Sequence, residues 1–125
     1  MFAIFQFLSG GKMHELSIVM NIIDIAEENA RRENASVILE IELDIGLQAG
    51  VVMESLDFAI ESAKMGTMLE NAKWVINKIP ALSRCASCQQ EYEPLDWLSP
   101  CPHCQNFFSE VLRGRELRVK SLQVE

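Results

Sequence analysis

Four cysteines sit within twenty residues, in two identically spaced pairs: Cys85-Ala86-Ser87-Cys88 and Cys101-Pro102-His103-Cys104. A C-x-x-C turn can aim two thiolates at one point. Two such turns complete a tetrahedron, the closed coordination of structural zinc. With sulfur in all four positions no place is left for water, so hydrolytic chemistry at that metal is not expected. One structural Zn2+ per chain is the expectation, held by Cys85, Cys88, Cys101 and Cys104. The competing readings are a rubredoxin-like iron site and a redox dithiol. Redox C-x-x-C motifs usually come singly at a helix start, which is not the setting here. Zinc in such modules contributes roughly 10–16 kcal/mol, effectively as folding energy.

The two histidines differ in promise. His103 lies inside the second cysteine turn and reads as a surface imidazole or a donor to a thiolate, with a substitute ligand or pH sensor as the sharper alternative. His14 stands between Met13 and Glu15 at the start of a helical pattern. On residues alone this is a helix start whose acidic residue complements the helix dipole. The other reading is a nickel site, because Ni(II) accepts a square-planar array of nitrogens. The His14 imidazole, the backbone nitrogens of His14 and Glu15, and the amine of Met13 where that residue is N-terminal would supply it. With residues 1–12 attached, Met13 offers an amide instead.

No nucleophile–base pair and no Gly-rich phosphate loop is present, so no catalytic residue, no organic-cofactor site and no enzyme activity is expected. Glu40, Glu42 and Asp44 read as a solvated strand face rather than paired catalytic carboxylates.

The elements that position these residues follow from periodicity. His14–Glu33 is helical, with Leu16, Val19, Met20, Ile23 and Ala26 as its apolar stripe and Asn34 as its end. Val37–Ile45 alternates strictly: Val37, Leu39, Ile41, Leu43 and Ile45 face one way and the acids the other. Gly46 and Gly50 bracket a turn. Val51–Lys64 is helical, with Val52, Leu56, Ala59, Ile60 and Ala63 as its core stripe and Gly66 as a cap. Ala72–Ile79 suits a strand that Pro80 ends. Glu116–Val124 is strand-like but changes parity between Val119 and Leu122, which implies a bulge or a two-sided strand.

Residues 81–111 hold three of the four prolines and all the cysteines, without a long periodic run. The expected fold is therefore α+β: two helices on a three-stranded mixed or antiparallel sheet, interrupted by a zinc-ribbon-like insert with four cysteine ligands. Residues 13–80 plus 112–125 would form one discontinuous domain and 81–111 the insert. Residues 1–12, apolar through Leu8 and then Ser-Gly-Gly-Lys, are expected to be an extension outside the fold, the alternative being a hydrophobic arm that docks on a groove or a partner. The apolar arm offers a surface for self-association, which leaves a homodimer open.

The chain has 125 residues and is 49% hydrophobic with net charge −7. That balance argues against nucleic acid, which needs a basic face. The apolar stretches are too short to span a membrane. Clustered rather than dispersed cysteines point to a reducing compartment, so a cytoplasmic location is expected.

Several stretches together resemble the HypA/HybF family of hydrogenase nickel-incorporation proteins. These are M-H-E-L-S-I-V-M-N-I-I at 13–23, V-V-M-E-S-L-D-F-A-I at 51–60, G-T-M-L-E-N-A at 66–72, the doubled C-x-x-C with C-P-H-C, and G-R-E-L at 114–117, followed by a closing strand that ends V-E. Each is weak alone; their collinear order over 13–125 is specific. The resemblance implies a metallochaperone that delivers Ni2+, its transient cargo, to the large subunit of [NiFe] hydrogenase. It also implies work beside a nickel-handling GTPase and, in some organisms, service to urease. Its nickel positions match Met13, His14 and Glu15, and its zinc ligands match the four cysteines. The family begins at the methionine matched by Met13, and Leu47 stands where relatives are often polar. A zinc-ribbon interaction module without nickel transfer is the alternative.

Overall fold

The computed structural model describes residues 2–7, 15–95 and 99–125. Its elements are β1 (Phe2–Phe7), α1 (Glu15–Arg32), β2 (Ile38–Gly46), α2 (Met53–Ala63), β3 (Lys73–Ile79), β4 (Leu82–Cys85), β5 (Glu91–Tyr92), β6 (Ser109–Arg113) and β7 (Leu117–Val124). One sheet has the order β1-β7-β2-β3, the other β5-β4-β6. In the first, β2 and β3 run parallel, joined across α2, while β7 is antiparallel to β2. The expected two helices and mixed sheet are present, and the cysteine-bearing segment has its own small antiparallel sheet.

The segment expected to stand apart supplies a fourth strand. Phe2–Phe7 pairs antiparallel with β7, Phe2 opposite Leu122 and Phe7 opposite Arg118. β7 would otherwise be an edge with unpaired backbone groups, which any extended apolar stretch can satisfy.

Helix α1 ends in a Schellman turn. Asn34 takes a left-handed φ of 57°, the Ala35 N–H reaches the Ala30 carbonyl at 2.9 Å, and the Asn34 N–H reaches Arg31 at 3.0 Å. Its buried face is Ile18, Val19, Ile22, Ile23, Ala26 and Ala30. The expected stripe is thus rotated: Leu16 and Met20 are 48% and 55% exposed. So many apolar residues lie on this helix that spacing alone fits more than one face, and packing on α2, β2 and β7 selects the face centred on Ile22 and Ala26. In α2, Leu56, Ala59 and Ile60 are buried, whereas Val52 caps the helix start from an exposed position.

Two bulges explain the parity of the paired strands. Register shifts between Ile38 and Glu40, so Ile38 is buried and Leu39 exposed, against the strict alternation expected there. A second shift places Glu42 opposite Ser121 and Leu43 opposite Val119, leaving Lys120 as the extra residue. That lets Val119 and Leu122 both reach the core.

The far face of β2 is not simply solvated. Asp44 is only 3% exposed and is bound by Arg118 at 2.7 Å and by the Asn77 amide at 2.9 Å. Glu42 accepts from Asn77 at 2.7 Å and pairs with Lys120 at 3.2 Å. Burial alone would raise the Asp44 pKa, but the bonds from Asn77 and Arg118 outweigh it and hold it below the ordinary value. Asn77 and then Lys120 hold Glu42 down likewise.

The two sheets meet at a close backbone crossing. The N–H groups of Gly46, Leu47 and Gln48 donate to Glu116, Ile79 and Gly114 at 2.7, 2.9 and 2.7 Å. This turn therefore ties down both the strand leading into the insert and the one leaving it. A Cβ on Gly46 would lie 2.0 Å from the Gly114 carbonyl oxygen. Gly114 itself has φ +113°, with Ala81 packed against it.

Candidate metal centre

Each cysteine pair is built on the same turn. The Cys85 N–H donates to Gln90 (2.9 Å) and the Gln89 N–H returns to Cys85 (3.1 Å); Cys101 with Asn106 and Gln105 with Cys101 repeat this at 2.8 and 2.8 Å. Gln89 and Gln105 both adopt left-handed φ, 62° and 65°. That reversal, one residue past each pair, brings the Gln90 and Asn106 carbonyls back to the N–H of the first cysteine. The turns are cross-linked: the Asn106 amide donates to Ser87 Oγ, the Phe108 N–H to Asn106 Oδ1 (2.7 Å), and the Ala86 N–H to the Phe108 carbonyl (3.0 Å). β4 carries Cys85 into the site, opposite Ser109 of β6.

The four sulfurs lie within 4.8 Å of one another, with Cys85–Cys104 at 3.4 Å and Cys88–Cys101 at 3.7 Å. Sulfurs bonded at about 2.3 Å to one tetrahedral ion stand about 3.8 Å apart, so the donor set fits a closed structural site. Cys85 and Cys101 are fully buried against Tyr92, while Cys104 is exposed. The backbone N–H groups of Cys88 and then Ser87 bring the Cys85 thiol down to about 6. The Gln90 N–H favours a Cys88 thiolate too, but burial and the neighbouring thiols outweigh it and push Cys88 up to about 12. Four thiolates at this spacing need a cation between them. His103 is exposed and touches the site through its backbone N–H, 3.4 Å from Cys101 Sγ.

The expected nickel residues are placed only in part. Met13 and His14 lie outside the described residues. Glu15 opens α1, and its Oε2 accepts from the Val52 N–H at the start of α2 at 3.5 Å. Sequence reasoning missed Gln89, Gln105 and Asn106 as builders of the cysteine turns. It also missed the Asn77–Asp44–Arg118 chain. Only a positive φ or a cross-strand register reveals these, and neither has a signature in residue type.

Comparison with known proteins agrees with the geometry. Residues 13–124 match the family described as "Hydrogenase/urease nickel incorporation, metallochaperone, hypA". The hydrogenase maturation factor HypA of Parabacteroides distasonis is 41% identical over 113 residues, covering 90% of this chain and 98% of that protein. Its counterpart in Geobacter metallireducens is 37% identical, covering 90% of this chain and all of that protein. The solution structure of the Ni metallochaperone HypA from Helicobacter pylori superposes with TM-score 0.65 at 25% identity, covering 90% of this chain and 97% of that one. A cluster of four thiols on a small antiparallel sheet, set into a two-helix mixed-sheet fold, together with the family match over residues 13–124, places this chain in the HypA family of hydrogenase nickel-incorporation metallochaperones.

Proposed function

We propose that this chain carries Ni2+ to the large subunit of [NiFe] hydrogenase during its maturation, together with a maturation GTPase. The observation that carries this reading is the family match, whose first residue is Met13 of the Met13-His14-Glu15 motif. The His14 imidazole would anchor the ion in either form of the chain. The backbone nitrogens of His14 and Glu15 would complete the array, with the Met13 amine where Met13 is N-terminal. Such a site is a holding site: the reaction is ligand exchange to a partner, and no bond is made or broken in a substrate. The protein is accordingly read as a carrier and not an enzyme.

The ion held by Cys85, Cys88, Cys101 and Cys104 is proposed to be zinc, one per chain, because closed sites of four thiolates on paired turns suit that ion. It would lock residues 81–111 as a separate unit, with 13–80 and 112–125 forming the nickel-binding domain. A reducing cytoplasm suits a site that needs free thiols. Hydrogenase is favoured over urease as recipient because the similar proteins are named for hydrogenase maturation. The test is nickel content of the hydrogenase large subunit in cells whose only copy of this gene carries His14→Ala. A nickel-free large subunit is expected. Normal nickel content beside a retained partner complex would instead support an interaction module without nickel transfer.

A further inference from the structure

The mixed sheet ends on one side at β1 and on the other at β3, whose strand neighbour is β2. β3 meets β2 in parallel register, from Glu40 opposite Lys73 to Gly46 opposite Ile79. In a parallel ladder successive residues turn their backbone groups to alternate sides. The Ile79 carbonyl accepts the Leu47 N–H at the end of β2, so the odd-numbered residues of β3 bond inward. Trp74, Ile76 and Lys78 then turn N–H and C=O outward. Among the described residues none of these outward groups has a hydrogen-bond partner.

Beside this edge lies a cavity of about 330 Å³ between α2 and β3. Asp57, Ile60 and Glu61 line it from the helix, Trp74 and Ile76 from the strand. Trp74 and Ile76 are half-buried at the margin of the core. A segment extended along β3 would place every second side chain beside them, over this cavity. Lys73 and Lys78 stand exposed near the two ends of the strand. Glu40 is the cross-strand neighbour of Lys73, yet among the described residues neither lysine makes an ion pair or a side-chain hydrogen bond.

We propose that the outer edge of β3 is a docking site for an extended segment of a partner protein, added antiparallel as a further strand, with apolar side chains over Trp74 and Ile76 and acidic ones beside Lys73 and Lys78. The backbone groups of β3 supply affinity, and alternate side chains set the sequence. Acids belong at the ends, because in the middle they would face Asp57 and Glu61. A second copy of this chain fits less well. Its own β3 brings two more lysines to the same short edge, and its β1 carries no acid to meet them. Neither His14 nor the cysteines take part, so the inference stands apart from the nickel reading.

The probe is the peptide E-T-V-T-V-E, fluorescein-labelled for anisotropy and unlabelled for amide hydrogen exchange, with the full-length zinc-loaded protein. At saturating peptide the Trp74, Ile76 and Lys78 amides should exchange about fivefold more slowly or better, while those of Val75, Asn77 and Ile79, already bonded to β2, change little. Lys73→Glu/Lys78→Glu is expected to weaken binding about tenfold or more. Both side chains are exposed, so the variant should keep its zinc and nickel stoichiometry, and failure of the edge is separable from failure of the nickel reading. The peptide V-T-E-T-E-V, of the same composition, should bind more weakly by a similar factor. Equal binding by the double variant or by the rearranged peptide would overturn the proposal. So would absence of binding at about 1 mM peptide, or binding that leaves the three amides unprotected. Protection of the same amides on raising the protein concentration alone would assign the edge to a second copy and overturn the partner segment.

Discussion

At the scale of single residues, Gln89 and Gln105 carry a backbone strain of about 1 kcal/mol each, held in place by the bonds across the cysteine turns. Gln105→Gly should therefore raise the stability of the zinc-loaded protein by about 0.5 kcal/mol, the relief of strain being partly offset by glycine's greater freedom when unfolded. Thermal melts with zinc present measure it, and a lower midpoint would mean that the Gln105 side chain makes contacts that matter more than the strain. Cys85→Ala tests the centre more severely. It should abolish stoichiometric zinc and collapse the amide signals of β4–β6 while those of α1 and β2 persist, because among the described residues the buried apolar cluster of the small sheet is only Cys85, Tyr92 and Cys101. A dispersed spectrum for β4–β6 without zinc would contradict it. The cysteines themselves were legible from their spacing, since two C-x-x-C turns have few other uses. The geometry of the turns was not, because nothing in a glutamine announces a left-handed φ.

At the scale of elements, helices and strands were readable from periodicity, and their faces were less so. The strict alternation in β2 pointed to Ile41, Leu43 and Ile45, all of which are buried. It failed at Leu39, where a bulge set by pairing with β7 reverses parity. The acids on the other face looked solvated because Arg118 and Asn77, their partners, are far away in sequence. Asp44→Ala should lower the unfolding free energy measured in urea by about 2 kcal/mol, since Arg118 and Asn77 lose their shared acceptor. The same network sets an acid response. Glu42 and Asp44 both have pKa values depressed by folding, so their contribution is complete above the ordinary carboxylate range and is lost as pH falls through the depressed values. Denaturant melts of Glu42→Gln/Asp44→Asn should consequently lose less stability between about pH 5 and pH 3 than the wild type; parallel curves would refute the assignment. Gly46→Ala should cost about 3 kcal/mol or more, because its Cβ would meet backbone that cannot withdraw. A variant with an unchanged urea midpoint would show that the crossing can open.

At the scale of the whole molecule, the order helix, strand, helix, strand, insert, strand already implied two helices over a mixed sheet with a metal-bearing interruption. Two features needed the structure. One is the pairing of Phe2–Phe7 with β7, because an apolar arm does not reveal which edge it will find. The other is the turn at 46–48, which fastens both strands that connect the insert to the rest. That turn runs on to Val52, whose N–H meets Glu15, so the metal-bearing sheet and the start of α1 share one short connection. The central claim concerns what is held at that start. The most direct measurement is a nickel titration by calorimetry on zinc-loaded protein whose first residue has been fixed by intact mass, wild type beside His14→Ala. One nickel bound per wild-type chain, lost in the variant with zinc retained, is the expected result. Equal nickel binding by the two proteins would contradict it and remove His14 from the site.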